Sequence, residues 1–145
     1  KRIAAAQSHY KLWKHCVGIN EPIMILEHDA IFTHKFEAPS TTLNVGAYSI
    51  NDPKGATFKS KDYSNKVKEG FNTVPWVAPE NIPQGLPGHS AYVITPWAAR
   101  DIIGKQDSIG WWPNDAIMCK QLCEWLYVYK PVFTKTQRTK PTTSL

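Results

Sequence analysis

Ile23-Met24-Ile25-Leu26-Glu27-His28-Asp29 decides the fold class, because four apolar residues end abruptly in three polar ones. Continuous apolarity in so short a run predicts a strand buried on both faces, as in a parallel sheet covered by helices, and hence an α/β fold. Polar residues at the carboxyl end of such a strand stand where open α/β sheets bind ligands. Upstream, Ile3, Ala6, Tyr10, Trp13 and Val17 recur at spacings of three and four. One apolar helical face is therefore predicted from about Ile3 to Val17, with Gly18 as its stop and Glu21-Pro22 turning the chain into the strand.

Downstream, Leu43 to Ile50 is a second strand candidate, with Gly46 permitting close backbone approach. Asn51 to Asn72 is polar and lysine-rich and reads as a long surface excursion. Pro75, Pro79, Pro83 and Pro87, with Gly85 and Gly88, make the next stretch irregular, with Val74 to Val77 pairing briefly at an edge. Ser90 to Ile94 is a further strand. Thr95-Pro96 opens a helix, a hydroxyl cap followed by proline in the first turn, and that helix should end near Gly104. A last helix is expected from about Asn114 to Trp125, then an extended Tyr127-Val128-Tyr129 and a flexible polar tail over about 134–145. Without repeats or low-complexity tracts, residues 1–145 read as one domain.

Composition narrows the class. With 42% hydrophobic and 20% charged residues, the chain is too apolar for a disordered tail. No apolar run approaches the roughly 20 residues of a transmembrane helix. Polar Gln7, Ser8 and His9 interrupt the N-terminal alanines, which argues against a signal peptide, and without an initiator Met the chain is expected to be processed, trimmed or cut from something longer. The net charge of +5 admits either a solvated basic face or attraction to phosphates, with Lys54, Lys59, Lys61, Lys66 and Lys68 clustered in one segment. Three cysteines fit reduced thiols and a cytoplasmic setting better than a disulfide scaffold.

Several residues could carry chemistry. Glu27 and Asp29, one residue apart, offer hard oxygen ligands suited to Mg²⁺ or Mn²⁺, ions that also bridge diphosphate oxygens. A strand end that merely meets water would show the same acidity. His28 is a further ligand or a hydrogen-bonding bystander. Asp115, just after Pro113, is placed either to accept a proton or to cap a helix. Trp111, Trp112 and Trp76 could form platforms for a pyranose, although large aromatics are mostly core residues, as expected for Trp13 and Trp125. Cys119 and Cys123 lack a matching pair for a zinc site and read as buried thiols.

Ser8-His9-Tyr10-Lys11-Leu12-Trp13 and then Ile25-Leu26-Glu27-His28-Asp29-Ala30 resemble glycosyltransferase family 25, the lipooligosaccharide-biosynthesis and procollagen-galactosyltransferase group. Gly88-His89-Ser90-Ala91-Tyr92-Val93-Ile94-Thr95 and Pro113-Asn114-Asp115 match two further family segments in the same order. The resemblance implies a GT-A-like mixed sheet flanked by helices. It also implies metal-dependent, inverting transfer of a hexose, galactose above all, from a UDP-sugar to a saccharide or other hydroxyl acceptor. On this footing Asp29 is a Mn²⁺ or Mg²⁺ ligand, and Glu27 a second ligand or a ribose contact. Ser8, His9 and His28 fall on the donor side, Gly88, Trp111 and Trp112 on the acceptor side, and Asp115 becomes the base; His9 could equally be structural.

Two departures stand out: His28 replaces an acidic residue and Asn114 a valine. Nothing before Ser8 matches the opening strand and helix of such folds, so a truncated version is expected, one that transfers sugar poorly or not at all and is open to self-association along a sheet edge. A degenerate relative that binds nucleotide or glycan without catalysis is the alternative. A basic nucleic-acid module ranks last, for want of a recognition motif.

Overall fold

The computed structural model describes residues 2–41, 44–57 and 59–137. Helix α1 (Arg2–Ile19) buries Ala6, His9, Trp13 and Cys16, again at spacings of three and four. The buried stripe is rotated from the expected one. Ile3 is 61% exposed, while His9 and Cys16 enter the core. Hydropathy underrated these two because each gains a buried hydrogen-bond partner, Tyr92 for the imidazole and the Glu21 and Ile94 carbonyls for the thiol.

Five strands form the main sheet in the order β1 (Ile23–Leu26), β5 (Ala91–Ile94), β3 (Ala47–Ser49), β6 (Leu126–Lys130) and β4 (Gly70–Thr73). Only β3 and β6 run parallel; the other three pairs are antiparallel. A second ladder joins β2 (Ala30–Phe32) to β7 (Thr134–Thr136). The expectation for Ile23–Leu26 is thereby corrected. β1 is an edge strand, antiparallel to its neighbour, and only Ile25 is buried while Leu26 is 42% exposed. A four-residue apolar run fits an edge strand as well as a central one, because its length carries no information about how many neighbours it has.

Period-two alternation divides the sheet's contacts between two cores. Ile25, Tyr92, Ile94, Ala47, Leu126 and Val128 pack with Trp13 and Cys16 of α1 and with Ala98, Ala99 and Ile102 of α3 (Pro96–Ile109). Met24, Val93, Tyr48, Tyr127 and Phe71 face the other core, which is closed by Phe36 and Phe133. Thr95 caps α3 as expected, its Oγ1 accepting from Ala98 N–H at 3.4 Å. The helix continues through Gly104, where a side chain would meet nothing, and stops at Gly110 with φ 109°. Gly46 is needed for close approach: any side chain there would crowd Ala98, Trp125 and Trp97.

Further expectations are revised. The 51–72 segment is not all surface, since α2 (Ser60–Lys66) buries Ser60 and Tyr63, and the edge strand is β4 rather than Val74 to Val77. The second strand is limited to Ala47–Ser49, and Leu43 lies outside the described residues. The last helix is a single turn, α4 (Asn114–Ile117), followed by turns. Its continuation is replaced by a bridge between Cys119 and Gly85. Cys119 and Cys123 are buried free thiols, and burial pushes Cys123 up to about 12. Within the expected tail, Thr134–Thr136 forms β7, and residues 138–145 lie outside the described residues. Among the described residues no helix is long and apolar enough to cross a membrane.

Candidate active site

A cleft of about 820 Å³ opens beyond the carboxyl end of β1. Its lining comes from the start of α1 (Arg2), the residue after β1 (Glu27), the 52–59 loop (Asp52, Lys54, Lys59), the 82–90 loop and the first turn of α4 (Asn114, Asp115). Three features of the chain hold these walls. Gln84, 2% exposed, accepts from Val77 and Ala78 N–H at 3.0 and 3.1 Å and donates to the carbonyls of Pro79 and Ile82. Asn51 donates to the Gly88 carbonyl at 2.6 Å and accepts from Thr134 Oγ1 at 2.9 Å. Gly85 lies so close to the Asp115 carbonyl that an added methyl would collide with it. This contact fixes the height of α4 against the loop.

Glu27 is the acidic group of the cleft with the most defined surroundings. Its Oε1 lies 3.2 Å from His9 Nε2, and its backbone N–H donates to Ser90 O at 2.8 Å. Its carboxyl is held below the ordinary value, first by the hydrogen bond from His9, against the opposing effect of burial, with Ser90 and His28 adding to the lowering. His28 is exposed. Asp29 is half-buried, its backbone carbonyl accepts from Gln137 N–H at 2.7 Å, and its Oδ1 is buried without a hydrogen-bond partner.

An acceptor oxygen buried in this way suits a hard cation, which would meet the desolvation that the carboxylate otherwise bears. Among the described residues, however, no three His, Cys, Asp or Glu side chains gather as a ligand cluster. Asp29 and His28 are not in the cleft lining, where Glu27 is, so the residues fit Mg²⁺ or Mn²⁺ only in the manner of ions held by one or two carboxylates together with substrate phosphates.

Asp115 is exposed on the cleft wall and makes no capping bond; Pro113 occupies the cap position of α4. Asn114, where the family pattern has valine, is 4% exposed and lines the same cleft, with its Nδ2 unpartnered. Gly88 is also in the lining and takes φ +64°, the left-handed turn that a side chain would strain.

Other expected residues stand elsewhere. Ser8 is exposed, and its hydroxyl donates to Ala4 O within its own helix at 3.0 Å. His9 is 4% exposed and reaches the cleft only through Glu27. Trp111 and Trp112 are both exposed, at 50% and 41%, and neither belongs to the cleft lining; Trp111 packs edge-on against Tyr10 of α1. Trp76 lines a separate hollow and lies beneath Lys120, whose Nζ is 5.6 Å from its ring centre.

Sequence reasoning missed Gln84, Asn51 and Tyr92 as organisers. Buried polar side chains in irregular segments carry no periodic signal, and Tyr92 reads from the sequence as a strand residue within a family segment, with nothing to mark its hydroxyl as an organiser. His89, quoted within the same segment, is enclosed at 3% exposure with both ring nitrogens unpartnered, and its ring stacks on Tyr92 at 4.2 Å.

The sequence model of one family, described as glycosyltransferase family 25 (LPS biosynthesis protein), matches residues 1–118. This chain belongs to glycosyltransferase family 25. The match covers α1, β1 with the acidic residues after it, and α4, and so includes both Glu27 and Asp115. No curated protein and no solved structure matches this family 25 chain.

Proposed function

We propose that this family 25 chain transfers a hexose from a nucleotide sugar to a saccharide or other hydroxyl acceptor, with inversion, on a GT-A-like scaffold. One observation carries the reading: Glu27 and Asp115, the residues to which the family resemblance gives donor and base roles, line one cleft together with Arg2 and Lys54. The two cations suit an anionic donor. Asp115 is exposed and free of capping duty, so its carboxylate is available to take the acceptor hydroxyl's proton. As that oxygen bonds to the anomeric carbon, the sugar's bond to the diphosphate breaks and the nucleoside diphosphate leaves. Asp29 and Glu27 would hold Mn²⁺ or Mg²⁺, which when bound supplies neutralisation of the leaving diphosphate's charge. UDP-galactose is the donor the resemblance favours, and the three free buried thiols support a reducing, cytoplasmic setting. A non-catalytic relative is the second reading, favoured by the lack of a three-residue ligand cluster among the described residues.

Two measurements test the proposal. UDP with Mn²⁺ should raise the melting temperature of the parent chain and leave Asp29→Ala nearly unmoved, because a ligand that binds only the folded state stabilises it. Equal shifts would remove Asp29 from the site. Transfer from UDP-galactose should fall about 10²-fold or more in Asp115→Asn at unchanged stability. Nucleotide binding in a parent that transfers nothing would select the non-catalytic reading.

A further inference from the structure

Tyr92 is the centre of a line of hydrogen bonds that runs from Trp13 of α1 to β5, back to His9 of α1, and on to Glu27 at the cleft wall. Trp13 Nε1–H donates to Tyr92 Oη at 3.0 Å, Tyr92 Oη lies 2.7 Å from His9 Nδ1, and His9 Nε2 lies 3.2 Å from Glu27 Oε1. An indole nitrogen only donates, so the tyrosine oxygen must accept there. Among the described residues its own proton then has one acceptor within reach, His9 Nδ1. Burial pushes the Tyr92 hydroxyl's pKa upward, which keeps that proton in place. Nδ1 is therefore the acceptor, and the ring's proton sits on Nε2, aimed at the Glu27 carboxylate. The opposite tautomer would bury the tyrosine O–H without an acceptor and set a bare nitrogen against a carboxylate oxygen.

Stacking locks the line in place. The His9 and Tyr92 rings lie 5.7 Å apart with 11° between their planes, and His89 stacks on Tyr92 at 4.2 Å. Trp13 and Tyr92 are fully buried, so the chain of bonds is enclosed up to the carboxylate, which is half-buried at the cleft wall.

We propose that His9 is a positioning residue, held by Tyr92 as the Nε2–H tautomer, that fixes the Glu27 carboxylate in the orientation a ligand in the cleft meets. The identity of that ligand rests on the nucleotide-sugar reading above; the tautomer and the orientation do not. His9 acts through Glu27, much as outer-shell groups orient ligating side chains. The two ends of the imidazole can be separated by substitution. A glutamine amide at position 9 reaches as far as Nε2 and retains the donor to Glu27. An asparagine amide stops near Nδ1 and loses it.

Imidazole ¹⁵N shifts of the parent chain should show a bare Nδ1 and a protonated Nε2 on His9, and Tyr92→Phe should give mixed tautomers. A crystal structure of Tyr92→Phe should show the Glu27 carboxylate turned from its parent position. Calorimetric titration with UDP and Mn²⁺ should weaken about tenfold or more in Tyr92→Phe and His9→Asn, while His9→Gln stays close to the parent. A protonated Nδ1 in the parent, an unmoved Glu27 in Tyr92→Phe, or, where the parent binds UDP, equal binding by His9→Asn and His9→Gln would each overturn the proposal. Tyr92→Phe removes a single hydroxyl, so the ¹⁵N and crystallographic arms decide even where His9→Asn does not fold. A parent that shows the Nε2–H tautomer and a fixed Glu27 but binds no UDP supports the positioning and overturns the nucleotide-sugar reading instead.

Discussion

At His89 the fold encloses an imidazole that neither nitrogen can anchor, and burial pushes its pKa down to about 3. An ordinary histidine in the unfolded chain takes up a proton near 6.5. The folded value is therefore the depressed one: the stability linked to this group is intact above pH 6.5 and is lost as pH falls toward about 3. For one proton the loss is about 1.4 kcal/mol per pH unit across that window. Urea unfolding at pH 6.5, 5.5 and 4.5 should approach this slope in the parent and show a flatter one in His89→Gln. Parallel slopes would mean that His89 reaches water. The sequence showed His89 only as one letter of a motif, since enclosure depends on Tyr92 and on a loop held by residues far along the chain. Glu27 and Asp115, by contrast, were legible as polar residues beside an apolar strand and a proline. Their common cleft became visible only when the 82–90 loop was placed between them.

Among the elements, α4 shows how a single turn of helix is positioned. Four residues make too little helix to hold themselves, so its place is set by contact, chiefly Gly85 beneath the Asp115 carbonyl. Gly85→Ala should destabilise the protein by about 1–3 kcal/mol, the usual range for overpacking, and should displace Asp115. Thermal or urea denaturation measures the first effect, and weakened UDP–Mn²⁺ binding the second. Unchanged stability would show that the loop yields without cost. The helix expected over Asn114–Trp125 failed for a physical reason: its residues permit a helix, but Cys119 pairs with Gly85 and the turn carrying Cys123 feeds β6 instead. Helices α1 and α3 were readable because each has a long apolar stripe and, for α3, a hydroxyl–proline start. The extension of α3 past Gly104 was not, because a solvent-facing glycine interrupts nothing.

Across the whole molecule, β1 is one of the two edges of the main sheet. β1 pairs with β5 alone, and the four residues between Pro22 and Glu27 include no charge, bulge or proline to blunt the free side. Amides of Met24 to Leu26 should exchange with D₂O ahead of those of β5 and β3, measured by exchange mass spectrometry or NMR at neutral pH. Equal protection would show a partner on that edge. The reading of β1 as a central parallel strand went astray at this scale, since strand order is a property of all five segments and no one of them encodes it.

β6 lies between β3 and β4, yet it is the last of the five strands to leave the ribosome. During synthesis β4 waits with no strand beside it, and β3 has only β5, until residue 130 has emerged. The nascent chain thus carries exposed, half-built sheet for nearly its whole length, and its completion is a closing event in which one late strand joins both halves at once. A ribosome stalled before Leu126 should hold a protease-sensitive chain, and one stalled well past Gln137 a resistant one.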